Sequence, residues 1–152
     1  MTGQELLNKI IAEINPDNYY GPLDDEYYVC RLEWLKEFID FFKNAVVTKT
    51  IKNTFDCDDL AMEFRHYATL SMINSLRVYG KGNPVMFGVV SLGLNNKLGI
   101  PLTNPDVLER HALNLILTND GFYWYDATQQ KLFKNDANNN LDYFNNVNFM
   151  LF

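Results

Sequence analysis

Residues 55–60 read Phe-Asp-Cys-Asp-Asp-Leu: a single cysteine, Cys57, stands among three carboxylates, Asp56, Asp58 and Asp59, directly before an apolar pattern of helical period. A thiol at a helix start ionises more readily, because the aligned peptide dipoles favour negative charge there. The three aspartates push the other way, so the cluster calls for a cation, either an imidazolium or a metal ion. Only His66 and His111 can supply imidazole. His66 lies nine residues after Cys57 on the same helical pattern. That is two and a half turns, on the opposite face and about 13 Å away, so it reads as a surface or core-edge histidine. His111 opens an apolar strand-like run, and Asp126 closes the next one. The ordered set Cys57, His111, Asp126 suits nucleophilic catalysis. The helix start favours the thiolate, the imidazole takes the thiol proton and later gives it to the leaving group, and the acid fixes the imidazole tautomer.

Three helices and a following sheet must position these groups. Thr2-Gly-Gln-Glu5 predicts a capping box, with Leu6, Leu7, Ile10, Ile11 and Ile14 recurring at helical spacing until Asn15-Pro16. Residues 15–31 read as a tyrosine-rich loop. A second helix fits 32–46, with Trp34, Leu35, Phe38, Ile39 and Phe42 on one side. Asp56 is the expected cap of the third helix, whose apolar face is Leu60, Ala61, Phe64, Ala68 and Met72 and which fades before Gly80. Val85–Leu92, Arg110–Thr118 and Phe122–Asp126 read as strands, the last two joined by a tight turn at Asn119-Asp120-Gly121. Loops are expected at 80–84 and 95–106, and residues 134–148 read as irregular before an apolar end, Phe149–Phe152.

The bulk composition narrows the class. A chain of 152 residues, 47% hydrophobic and 14% aromatic, is expected to form one domain, 1–152, with a packed core. Its net charge of −6 speaks against a nucleic-acid surface, which needs a basic stripe. No apolar run approaches membrane-spanning length and the N-terminus lacks a signal-peptide layout, so a soluble cytoplasmic protein is expected. Two cysteines, Cys30 and Cys57, are too few for a disulfide scaffold, and Cys30 reads as structural.

A helix-start cysteine, a strand-start histidine and an acid ending the next strand together resemble the papain-like and transglutaminase-like cysteine enzymes. The run from His111-Ala-Leu-Asn-Leu to Asp126-Ala-Thr128 is similar to the transglutaminase-like histidine strand and Asp-Pro-Thr segment, with Ala127 in place of proline. Asp-Cys-Asp-Asp plus His-Ala-x-Asn also resembles the papain-like C-terminal domain of a fungal agglutinin and its bacterial and phage relatives. There the helix segment ends in phenylalanine, where this chain has Leu60. The closing segment there is Glu-Pro-Gln, where this chain has Asp126-Ala-Thr. The likeness spans roughly residues 55–130. It implies an α+β fold with a helical half packed on a small antiparallel sheet, and a cysteine protease acting on a protein or peptide. It also implies calcium dependence, with Asp56, Asp58 and Asp59 helping to hold the ion.

With the turn centred on Asp120-Gly121, Asp126 is expected opposite Asn114 or Leu115, and His111 opposite Gln129 or Gln130. An offset of about three or four residues is roughly 10–13 Å along a strand, too far for a direct hydrogen bond unless a bulge or strong twist intervenes. Gln129 is therefore the alternative orienter, an amide in the role that papain-like enzymes give to one. For the oxyanion, the backbone N–H of Cys57 is one donor, and Asn53 and Trp34 are candidates for another. The expected activity is thiol-dependent hydrolysis or transfer at an amide or related acyl bond. Two alternatives remain. One is a non-catalytic binding or inhibitor protein of the same fold, directed at a host protein. The other is an inert scaffold with a metal site on the aspartates.

Overall fold

A computed structural model of the chain describes residues 1–14, 19–21, 27, 29–46, 57–79, 87–93, 110–136 and 147–151, with backbone alone at 19–20, 72–79, 87–93, 110–111 and 147–151. Helix α1 spans Gly3–Glu13 and begins with the expected capping box. Thr2 Oγ1 accepts the Glu5 N–H at 3.2 Å, and the Glu5 carboxylate accepts the Thr2 N–H at 2.7 Å. Helix α2, Leu32–Ala45, buries Leu35, Phe38, Ile39 and Phe42 on one side. Arg31 precedes it without a side-chain cap; the first-turn N–H of Leu32 instead donates to Asn119 Oδ1 at 2.9 Å, a cap supplied from far along the chain. Helix α3 spans Cys57–Tyr79.

The strands are β1 Tyr19–Tyr20, β2 Phe87–Gly93, β3 Arg110–Thr118, β4 Gly121–Asp126, β5 Lys131–Lys134 and β6 Val147–Leu151. They form one sheet in the order β1-β6-β2-β3-β4-β5. β1 runs parallel to β6, and the other neighbours are antiparallel. The α+β class stands, but the sheet is larger than the three strands expected. The segment 134–148 was expected to be irregular, yet β5 reaches into its start and β6 begins at its end. β5 is four residues flanked by lysines, too short to show a period, and β6 gains its partners from β2 and β1, which local pattern cannot reveal. The expected loops at 80–84 and 95–106 lie outside the described residues.

The two faces of β3 and β4 are both covered. Leu113, Leu115, Leu117, Phe122 and Trp124 pack with Leu6, Ile10 and Ile14 of α1. The alternate residues Ile116, Tyr123 and Tyr125, with Ala127, pack with Leu35, Phe38 and Phe42 of α2 and Leu60, Phe64 and Ala68 of α3. Burial on both faces is why β3 reads as a near-continuous apolar run rather than an alternation. Phe64 joins the layers, its ring 4.5 Å from that of Tyr125 and 5.1 Å, edge-on, from that of Phe42. None of the described helices is long and apolar enough to cross a membrane.

Candidate functional site around the start of helix α3

Cys57 is the first residue of α3 and is half-buried. The N–H groups of the first helical turn have no partner within the helix and face whatever lies beyond its end. Asp58 and Asp59 follow in that first turn, both exposed, where the helix dipole favours their charge. Asp56 and Asn53 lie outside the described residues. Among the described residues no group of three or more His, Cys, Asp or Glu is placed to hold a metal ion. The described carboxylates thus do not form a calcium cage by themselves.

A hydrogen bond ties the start of α3 to the sheet. Asn114 Nδ2 donates to the backbone carbonyl of Ala61 at 2.8 Å, and Asn114 is fully buried. It is the polar residue inside the apolar run Ala112–Leu117, and it holds the turn that follows Cys57 against the middle of β3. The sequence contained this residue within His-Ala-x-Asn, but its role was missed. The available signal was a side-chain amide where the strand is otherwise apolar on both faces, a position that demands a partner.

The hairpin register corrects the spacing expected for the acid. Thr118 pairs with Gly121, so the turn is the two-residue Asn119-Asp120 and not one centred on Asp120-Gly121. Pairing runs back to Asn114 opposite Tyr125, and one further step sets Asp126 level with Leu113. His111, whose partner on β2 is Leu92, is two residues beyond Leu113. The Cα positions of His111 and Asp126 are therefore diagonal neighbours, a relation of about 7–8 Å, rather than separated by the larger offset expected. No bulge is needed to bring them near.

Asp126 is buried, and its Oδ1 accepts the backbone N–H of Gln129 at 2.9 Å. This bond closes the turn between β4 and β5. Gln129 itself is exposed in that turn rather than in the ladder, so it does not stand opposite His111 as expected. The pleat places Asp126 in phase with Phe122 and Trp124, on the α1 face, whereas Cys57 starts a helix on the other face. A path from the cysteine to the acid runs around the end of the sheet where β3 begins, not across it.

The remaining candidates fall elsewhere. Trp34, a suggested oxyanion donor, lies on α2 with its ring stacked on Phe38 at 5.3 Å, part of the packing between helices. His66 is exposed on α3, its ring edge-on to Tyr67, as the helical spacing predicted. Cys30 is buried and directs its thiol to the Leu117 carbonyl at 3.6 Å. Burial pushes that thiol up to about 12, so it stays protonated and inert at ordinary pH.

No protein-family model matches the sequence, and no curated protein matches it. Among solved structures the chain is similar to PSL1a in a complex with E64, at a TM-score of 0.66 and 17% identity, over 100% of this chain and 50% of that one. It is also similar to a Polyporus squamosus lectin bound to the human-type influenza-binding epitope Neu5Aca2-6Galb1-4GlcNAc, at a TM-score of 0.68 and 16% identity, over 100% of this chain and 49% of that one. The chain thus spans about half the length of the solved chains it matches. At these identities the likeness is one of fold, a fungal-lectin-like architecture.

Proposed function

We propose that the chain is a thiol-dependent hydrolase or acyltransferase of papain-like or transglutaminase-like type, acting on an amide bond of a protein or peptide. The observation that carries the reading is the half-buried Cys57 at the head of α3, a helix held against β3, the strand whose second residue is His111. In this reading the His111 imidazole removes the thiol proton, and the sulfur attacks the substrate carbonyl. The Cys57 N–H, one of the donors without a partner inside the helix, stabilises the oxyanion. Collapse of the tetrahedral intermediate transfers the proton from His111 to the leaving amine and forms a thioester. Attack by water or an acceptor amine, with His111 as base, releases the acyl group and restores the thiol. Asp126, diagonal to His111 in the ladder, orients the imidazole. Support comes from the E64 complex among the structural neighbours, since E64 is a thiol-directed epoxide, and from the ordered resemblance across residues 55–130.

The test is labelling with E64 at neutral pH, read by intact mass and peptide mapping. One adduct is expected, on Cys57, lost in Cys57→Ala and slowed at least tenfold in His111→Ala, with Cys30 unlabelled. If Cys57 reacts no faster than free cysteine, the hydrolase reading is lost.

A second reading is a non-catalytic binding protein of the same fold. It is favoured by the pleat phase, which sets both His111 and Asp126 on the face opposite α3. Ordinary Cys57 reactivity together with saturable capture of a protein partner, unchanged in Cys57→Ala, would establish it.

A further inference from the structure

We infer that Asn114 is a positioning residue for the Cys57 thiol, a role that rests on the hydrolase reading. Its side chain links the nucleophile's helix to the base's strand by a hydrogen bond from Nδ2 to the Ala61 carbonyl at 2.8 Å. Ala61 is four residues after Cys57 on α3, and Asn114 is three residues after His111 on β3. Cys57 is thus about one helical turn from this anchor point, and His111 is three strand residues from it on the opposite pleat phase, reached around the end of the sheet where β3 begins. The packing around it is apolar and adaptable: Leu60 and Phe64 on the helix meet Ile116 and Tyr125 on the sheet. Apolar contact is non-directional and leaves a helix free to slide or rotate by a fraction of an ångström. A buried amide bonded to a fixed carbonyl removes that freedom, because any displacement leaves a donor unpaired in the interior. Proton transfer between a thiol and an imidazole is steeply sensitive to such displacement. Fully burying an amide in an otherwise apolar strand is costly, and holding two catalytic elements in register is the return that apolar packing does not supply.

The experiment compares the pH profile of Cys57 alkylation by iodoacetamide in the wild type, Asn114→Leu, Asn114→Ser and His111→Ala. Leucine keeps the volume and removes the donor, and serine keeps a donor in less volume. Retained protection of Cys30 reports that each variant is folded. In Asn114→Leu the rate near pH 6.5 is expected to fall at least tenfold, while the rate near pH 10, where any accessible thiol is ionised, stays within twofold. Asn114→Ser is expected to keep most of the neutral-pH rate. A merely structural role would lower the melting temperature and leave the profile unmoved. A wild-type profile that depends on His111 but persists in Asn114→Leu overturns the positioning role alone. Should Asn114→Leu fail to fold, loss of the neutral-pH rate in a folded Asn114→Ser overturns it equally. A wild-type Cys57 that reacts like free cysteine overturns the hydrolase reading, and the positioning role with it.

Discussion

The hydroxyl of Tyr125 is fully buried and has no hydrogen-bond partner among the described residues. Burial, followed by the carboxylates of Asp126 and Asp40, holds its pKa well above the ordinary phenol range, so the ring remains neutral. An unpaired buried hydroxyl costs roughly 1–3 kcal/mol. Tyr125→Phe is therefore expected to leave stability unchanged or raise it by up to about 1 kcal/mol in urea denaturation, since the ring contact with Phe64 is kept. A loss greater than that would reveal a partner for the hydroxyl. The contrast with Asn114 is instructive at this scale. Both residues are fully buried polar groups and Cα partners across the β3–β4 ladder, but only Asn114 has its donor engaged by another element. Cys57 and Cys30 differ in the same way, by surroundings rather than by type: one heads a helix and is half-buried, the other is enclosed. From the sequence the two thiols were separable because only one stood among carboxylates ahead of a helical pattern.

The β3–β4 hairpin is the element on which most of the described structure converges. Its turn caps α2 through Asn119, accepts Cys30 alongside Thr118 as an isolated bridge, and carries a surface cluster of its own. In that cluster Asp120 Oδ2 accepts the Tyr123 hydroxyl at 2.7 Å and pairs with Lys134 Nζ at 2.9 Å. The Lys134 ammonium, and then the Tyr123 hydroxyl, hold the Asp120 carboxyl below its usual 3.8. Burial, and then Asp120, push Tyr123 up to about 12. The lowered acid stabilises the fold above its unfolded value near pH 4, and that contribution fades as pH falls through the folded value. The raised phenol stabilises the fold below pH 10, and its contribution is lost as pH rises towards about 12. Asp120→Asn is expected to flatten the acid limb of the stability–pH curve measured by thermal melting and to weaken the alkaline limb only in part, since the burial of Tyr123 remains, with little change between about pH 5 and 9. A variant curve with the wild-type acid limb would show that Asp120 takes no part in it. The hairpin was the most legible element in the sequence, because Asn-Asp-Gly between two apolar runs is a turn signal with a direct steric cause. Gly121 at φ +103° occupies a backbone region that other residues avoid. Its register was not legible, since moving the turn by one residue changes which group faces His111.

At the scale of the whole molecule, one sheet separates two apolar clusters, with α1 on one face and α2 and α3 on the other. Since β3 and β4 contribute to both, neither cluster can dissolve without exposing the other's wall. A single cooperative transition is expected, with Trp34 reporting the α2–α3 side and Trp124 the α1 side. Fluorescence melts of Trp34→Phe and Trp124→Phe, each keeping one reporter, should give equivalent fractional unfolding curves once each variant's stability is matched by its circular dichroism. Non-coincident curves from the two reporters would divide the chain into independent units. The sequence alone determined the capping box of α1, the apolar sides of α2 and α3, the apolar character of β3 and β4, and Cys57 at a helix start. Each of these follows from periodicity or from a local hydrogen bond within a few residues. The tertiary structure decided the rest: the six-stranded order, the cap of α2 by Asn119, the register that brings Asp126 diagonal to His111, and the Asn114 link from β3 to α3. These depend on groups separated by tens of residues, and a pleat phase or a ladder offset is set only when whole faces are buried together.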